Sequence, residues 1–204
     1  MKAMSIVFYG INNLGKTTQA RMLVGWMNEI GIPAVYVKYP VYDLYPTGPN
    51  INLYLREGNP LGWDAKRFQE EQAQNRRDFE PFLKGYLDNG IWVIAEDYTG
   101  TGIAWGVANG VDLSYLEEIN SDLLHEDIAF LFDGERFTSG IEKGHMHEKN
   151  DELTKKARNI HLLLGEQKGW ITINANGSKE AIQTEIMKHL INKLNLVATP
   201  QNPL

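Results

Sequence analysis

The sequence predicts an α/β chain built on a five-stranded parallel sheet with helices on both faces. Three observations lead there: five short, continuously apolar runs, amphipathic stretches between them, and a glycine-bearing turn joining the first run to the first helix. Runs that are apolar at every position suit strands covered on both sides, the usual condition in a parallel sheet. Alternating strands and helices with right-handed crossovers then stack as helix, sheet and helix.

SIVFY at 5–9 is the first strand and AVYVK at 34–38 the second. Between them Ala20, Leu23, Val24, Met27 and Ile30 recur at three- and four-residue steps, a helix that Gly31 and Pro33 stop. A long helical region covers 64–89, with Phe68, Phe79, Phe82, Leu83, Tyr86 and Leu87 available for packing. Pro81 predicts a break or bend in it, since proline lacks the N–H and crowds the preceding turn. IWVIA at 91–95, IAFLF at 128–132 and WITI at 170–173 complete the strands. Further helices are expected over 112–124, 151–167 and 178–194. The end of the chain is expected to fray from about residue 197, and nothing marks a second domain, so 1–204 reads as one unit.

A chain of 204 residues can bury a core without cross-links, and there is no cysteine. The absence of thiols, and an amino-terminal segment too short in apolar residues for a secretion signal, predict a reducing, cytoplasmic setting. No run approaches the roughly 18 apolar residues that a membrane span needs. A net charge of −6 and an isoelectric point near 5.4 argue against a general nucleic-acid surface. An anionic ligand must therefore be held by focused local groups.

Such a group is present. Gly10-Ile11-Asn12-Asn13-Leu14-Gly15-Lys16-Thr17 satisfies G-x-x-x-x-G-K-[ST] and lies between the first strand and first helix. Glycines let the backbone wrap phosphate oxygens, and the helix amino terminus adds partial positive charge. Gly10, Asn12, Asn13, Leu14, Gly15, Lys16, Thr17 and Thr18 are accordingly candidate ATP-binding residues. Lys16 is placed at the β- and γ-phosphates and the Thr17 hydroxyl at Mg²⁺. This makes the expected architecture the three-layer P-loop NTPase fold. It does not say whether the phosphoryl group goes to water, a protein or a small acceptor.

From that loop onward the chain resembles the thymidylate kinase family of P-loop nucleoside monophosphate kinases, over residues 4–194. The resemblance is carried by GINNLGKTTQ, Tyr39-Pro40, Thr47-Gly48, Tyr54-Leu55, Asn75-Arg76, EDYTGTGIAW, a polar excursion over 136–150, Ala157-Arg158 to Leu162, and INANGSKEAI at 173–182. No single later piece is specific; their order and spacing are. The resemblance implies transfer of the γ-phosphoryl of MgATP to a deoxynucleoside monophosphate, with dTMP the leading acceptor, in a homodimer. Another pyrimidine monophosphate, a deoxynucleoside acceptor, or a nucleotide-binding regulator without catalysis remain alternatives.

The resemblance also assigns residues. The family's Asp-Arg-Tyr triplet is matched by Glu96, Asp97 and Tyr98, and its Ser-Gly loop by Thr101-Gly102. Glu96 would act at Mg²⁺, as a hard oxygen ligand should; alternatively the acidic pair merely caps the following turn. Tyr39, Pro40, Gln72, Arg76, Asp97, Tyr98, Thr101 and Gly102 would face the acceptor, and Ala175 the adenine. Arg136 is the catalytic candidate in a lid over about 134–150, which also carries Lys143, His145 and His147; Arg158 would assist. The two histidines suit a phosphate-facing lid or a solvated loop better than a zinc or iron site, with no cysteine or second ligand cluster nearby.

Several positions depart from the family. Asp97 replaces an arginine, a type of group worth roughly 10³ to 10⁵ in rate, or about 4 to 7 kcal/mol. Asn13 stands where some members carry another arginine, and Asn12 replaces an acid. Gln72 stands where an aromatic ring commonly stacks on thymine, leaving a hydrogen bond to the base edge, or Phe68 or Tyr42 as the ring. Tyr98 and Trp105 are expected to pack rather than touch the base. Arg77, next to Arg76, points about 100° away on a regular helix.

Overall fold

The computed structural model describes residues 2–137 and 151–194. Its elements run β1 Ser5–Tyr9, α1 Lys16–Glu29, β2 Ala34–Lys38, α2 Thr47–Arg56, α3 Ala65–Asp88 and β3 Trp92–Glu96. They continue as α4 Thr99–Ala108, α5 Leu113–Glu118, β4 Ile128–Asp133, α6 Asp151–Lys168, β5 Ile171–Asn174 and α7 Lys179–Leu194. The five strands form one sheet in the order β2-β3-β1-β4-β5, every neighbouring pair parallel. This is the predicted α/β architecture.

The period-two alternation of strand side chains divides the core between the two faces. Ile6 and Phe8 of β1, Trp92 and Ile94 of β3, and Ile128, Phe130 and Phe132 of β4 point to one side, with Ala20, Leu23 and Ile186. Val7 and Tyr9, Val93 and Ala95, and Ala129 and Leu131 point to the other, with Ile103, Leu116 and Leu164. A smaller cluster ties α2 to α3 through Ile51, Tyr54, Leu55 and Phe68, where Tyr54 and Phe68 stack at 3.8 Å. Among the described residues no helix is long and apolar enough to cross a membrane.

Three expectations are corrected. The helix over 64–89 is unbroken, since α3 runs from Ala65 to Asp88 through Pro81. Pro81 itself is exposed, while Leu83 is buried and Phe79 packs edge-on to Tyr39 at 5.8 Å. Packing on the inner side outweighs the lost bond. The helix over 112–124 shortens to α5, which Asp112 caps by accepting from the Tyr115 N–H.

The third correction concerns the threonine and glycine stretch after β3. It is helix α4, not a loop. Its glycines weaken intrinsic helix preference, but each meets a neighbour too close for a side chain. A Cβ at Gly100 would lie 2.4 Å from Trp170, at Gly102 2.4 Å from Arg76, and at Gly106 2.7 Å from Leu116. Helix α2 was likewise invisible in the sequence. The tail from 197 and the lid residues Lys143, His145 and His147 lie outside the described residues.

Trp170 cannot yield easily to a new methyl group, because it stacks on Tyr9 with ring centroids 4.1 Å apart. Gly100→Ala is therefore expected to cost about 1–3 kcal/mol through overpacking, despite alanine's better helix preference. Urea denaturation of the purified variant reads this directly.

Candidate active site

The carboxyl ends of β1, β2 and β3 open onto a cavity of about 410 Å³, the place where doubly wound sheets receive ligands. The loop after β1 forms one wall. Ile11 and Leu14 are buried in the core and anchor it, and Gly10, at φ 129°, lies so close to Phe132 that a Cβ would come 2.5 Å from its carbonyl oxygen. Gly15 adopts a left-handed conformation immediately before α1. Asn12, Asn13, Leu14, Gly15, Lys16, Thr17 and Thr18 all line the cavity.

Lys16 is held firmly. Its Nζ donates to the carbonyls of Gly10 and Ile11, both at 2.8 Å, and lies 3.4 Å from Asp97 Oδ1. Next to it, Glu96 collects three partners. Its Oε2 accepts from Thr17 Oγ1 at 2.7 Å and from the Tyr36 hydroxyl at 2.6 Å, and its Oε1 faces Lys38 Nζ at 3.2 Å. Burial pushes the Glu96 carboxyl upward, but Lys16, Lys38 and the two hydroxyl donors together hold it below the usual range. Glu96 is thus a fixed carboxylate rather than a turn cap. Thr17 and Glu96 present converging hard oxygens, a donor set that fits Mg²⁺.

Asp97 behaves differently. Burial raises its carboxyl above the usual range, against the pull of Lys16, and the charge of Glu96 adds to the rise. Its backbone has φ 59°, uncommon for a residue with a Cβ, and its N–H donates to the Phe8 carbonyl at 3.1 Å. Thr101 Oγ1 bonds Asp97 Oδ1 at 3.1 Å and lies 3.4 Å from His161 Nε2 on α6. His161 Nδ1 is 2.8 Å from the Ala157 carbonyl, which requires it to carry the proton.

The opposite wall comes from α3 and the segment after β2. Tyr39, Pro40, Gln72, Arg76 and Thr101 all line it, as do Tyr42 and Trp105. Arg76 is buried, and its Nη atoms donate to Asn120 Oδ1 and Gln72 Oε1, each at 3.2 Å. Its Nε and the hydroxyls of Tyr39 and Tyr98 have no hydrogen-bond partner among the described residues. Tyr98 packs against Tyr39 at 5.0 Å and lies behind the wall, as does Gly102, whose missing side chain makes room for the Arg76 guanidinium. Of the two rings offered for the base, Tyr42 lines the cavity while Phe68 stacks on Tyr54. Trp105, expected only to pack, reaches the cavity as well.

Some candidates lie outside this cavity's walls. Ala175 is buried after β5, its N–H donating to the Asp133 carbonyl at 2.8 Å, on the far side of β4. Arg136 has Nη1 3.7 Å from Asp151, while its Nε and Nη2 have no partner among the described residues. It stands beside the phosphate loop, because the N–H of its neighbour Phe137 donates to the Asn13 carbonyl at 2.9 Å. Arg158 pairs with Asp133 at 2.6 and 2.9 Å, and Arg77 pairs with Asp122, so neither faces the cavity.

Sequence reasoning missed Lys38, Tyr36, Arg56 and His161. The first two had a signal: two residues apart on β2, they share a face. Arg56, whose guanidinium lies 4.5 Å over the Tyr42 ring, and His161 are brought in from helices that no local pattern aligns with the site.

A match to the thymidylate kinase family model covers residues 8–186 of the chain. The chain belongs to the thymidylate kinase family. A thymidylate kinase of Dictyostelium discoideum is 27% identical over 190 residues, covering 91% of this chain and 83% of that one. A probable thymidylate kinase of Pyrococcus abyssi is 28% identical, covering 92% and 95%. Among solved structures, the thymidylate kinase of Candida albicans superposes with a TM-score of 0.79 at 18% identity, over 95% of this chain and 93% of that one. That of Ehrlichia chaffeensis gives 0.75 at 20% identity, over 93% and 100%. Both establish the three-layer P-loop NTPase fold. As a member of the thymidylate kinase family the protein is a phosphotransferase, and the family's reaction is ATP-dependent phosphorylation of dTMP.

Two outcomes are expected. Gly102→Ala drives a methyl group into Arg76, and a displacement of that size should lower kcat/KM for dTMP by about 10²-fold, measured by steady-state kinetics. Burial pushes His161 down to about 4, against the Ala157 carbonyl, with Lys16 adding to the fall. The unfolded chain then binds more protons than the folded one between about pH 6.5 and pH 4. Stability should be lost as pH falls through that window, by up to about 3 kcal/mol. Urea midpoints across the window should flatten in His161→Gln.

Proposed function

We propose that the protein transfers the γ-phosphoryl group of MgATP to dTMP, giving dTDP and ADP. The observation that carries this is the continuity of one cavity from the phosphate loop to Arg76. A donor cradle and an acceptor wall face each other without a barrier. An acceptor phosphate oxygen bonds to the γ-phosphorus while the bond from that phosphorus to the β,γ-bridging oxygen breaks, and ADP departs with the bridging electrons.

The chain's contribution is positioning and charge neutralisation. Backbone N–H groups of residues 10–18 and Lys16 orient the donor. Thr17 and Glu96 would hold Mg²⁺, which neutralises phosphate charge when bound. Tyr36 fixes the Glu96 carboxylate in place. Arg76, Gln72, Tyr39, Pro40 and Thr101 seat the acceptor, with Gly102 making room for the Arg76 guanidinium. Arg136 carries donors beside the phosphate loop that have no partner among the described residues, which supports its role toward the transferred group, and Ala175 belongs to the adenine side. The acceptor phosphate is already ionised at neutral pH, so no strong base is required. A single-domain, cytoplasmic homodimer without nucleic-acid or membrane partners is the setting we infer, supported by composition and family membership.

A coupled ADP-formation assay with MgATP and a panel of nucleosides and monophosphates tests the reading. Turnover with dTMP, falling by at least about 10³-fold in Lys16→Ala, is the expected result, since charge stabilisation of this kind is worth that much. Turnover with thymidine but not dTMP would instead place the activity one phosphorylation step earlier, with Asp97 or Glu96 as base. ATP binding without acceptor-dependent turnover would make the protein a regulator.

A further inference from the structure

Two phosphate-bearing ligands must meet in a cavity whose β3 wall carries two adjacent carboxylates, Glu96 and Asp97. Among the described residues, the cations lining it are Lys16, Lys38, Arg56 and Arg76. Three of these are committed by geometry. Lys16 is buried and bound to the phosphate loop's own carbonyls and Asp97. Arg76 is buried and tied to Asn120 and Gln72. Arg56 lies over the Tyr42 ring and bonds Asn52 at 3.1 Å.

Lys38 differs in both place and freedom. It is the last residue of β2 and pairs in register with Glu96 of β3, which in turn pairs with Phe8 of β1. Strands lie about 4.8 Å apart, so Lys38 stands roughly 10 Å along the sheet edge from the strand that bears the donor cradle. It is followed directly by Tyr39 and Pro40 of the acceptor wall. An acceptor phosphate lying in line with the donor's terminal group falls between the two, within reach of a four-carbon stem. The Lys38 side chain is 45% exposed, and among the described residues its ammonium makes one close ion pair, with Glu96 Oε1 at 3.2 Å, while the more distant Asp97 adds to the acidic field around it. Glu96 retains Thr17 and Tyr36 on its other oxygen when that contact is broken. A half-exposed lysine pair is weak, and the ammonium is a compact, mobile point charge. Exchanging a monoanionic carboxylate for a phosphate dianion is therefore favourable.

We propose that Lys38 binds the phosphate of the acceptor monophosphate, supplying from β2 the positive charge that Asp97 withholds at β3. The inference rests on the kinase reading above and assigns that reading's acceptor phosphate a partner.

The test compares dTMP with thymidine, which differs by the phosphate alone. Dissociation constants of both are measured by calorimetry without ATP or Mg²⁺ for the wild type, Lys38→Met, Lys38→Gln and Lys38→Arg. Loss of one charge-assisted contact should weaken dTMP by about 10- to 100-fold in the two neutral variants and leave thymidine within about twofold. Lys38→Arg should recover most of the dTMP affinity, and KM for dTMP should rise in the neutral variants while KM for ATP holds. Equal weakening of dTMP and thymidine, or unchanged dTMP binding, would overturn the proposal while leaving the kinase reading standing. A wild-type protein that binds thymidine but not dTMP would overturn both.

Discussion

The Glu96 carboxylate organises the active side of this molecule. Sitting at the end of the second strand from the sheet's edge, it accepts from Thr17 of α1 and Tyr36 of β2 and faces Lys38. One buried acid thereby ties the phosphate loop to both strands on its acceptor side. Because the acid is charged and shielded, each contact is stronger than it would be in water, and removing a partner leaves more behind than a lost bond. The cluster is close to neutral, two carboxylates against two lysines. Such a balance lets a sheet edge carry a dense set of charges without repelling the anions it must receive.

Arg76 is the second organising element and depends on a different physics. Its guanidinium is buried on α3 and held by Asn120 and Gln72, with burial pulling its basicity down. Space for it exists only because α4 presents Gly102 at that point. The acceptor wall is thus shaped by what a neighbouring helix lacks. Thr101, one residue earlier, links the same helix to Asp97 and His161, so α4 connects the acidic pair to α6.

How much of this could be read in the chain depends on where the information resides. Strands β1, β3 and β4 are buried at nearly every position, so their apolar runs were plain. The phosphate loop was plain because its function needs glycines, a lysine and a hydroxyl at fixed spacing. Helix α4 was not, since its glycines are explained by Trp170, Arg76 and Leu116, residues distant in sequence. Pro81 misled for the same reason: its local cost was visible and the packing of Phe79 and Leu83 was not. The spacing of Tyr36 and Lys38 put them on one face of β2, but their pairing with Glu96 required the register of β2 against β3, which lies outside that strand's own pattern. Gln72 could be placed on the acceptor wall but not paired, because its bond to Arg76 depends on rotamers.

The three gaps along α4 also fix its rotational setting. Gly100, Gly102 and Gly106 point at three parts of the chain, respectively the residue just before β5, helix α3 and helix α5, and a helix turns about 100° per residue. Sliding the segment by one position would swing threonine, isoleucine and valine side chains toward Trp170, Arg76 and Leu116. No partial accommodation satisfies all three at once. The helix is keyed, like a shaft with notches at unequal angles, so insertions or deletions that the preceding turn could absorb elsewhere would here unseat the acceptor wall as a whole.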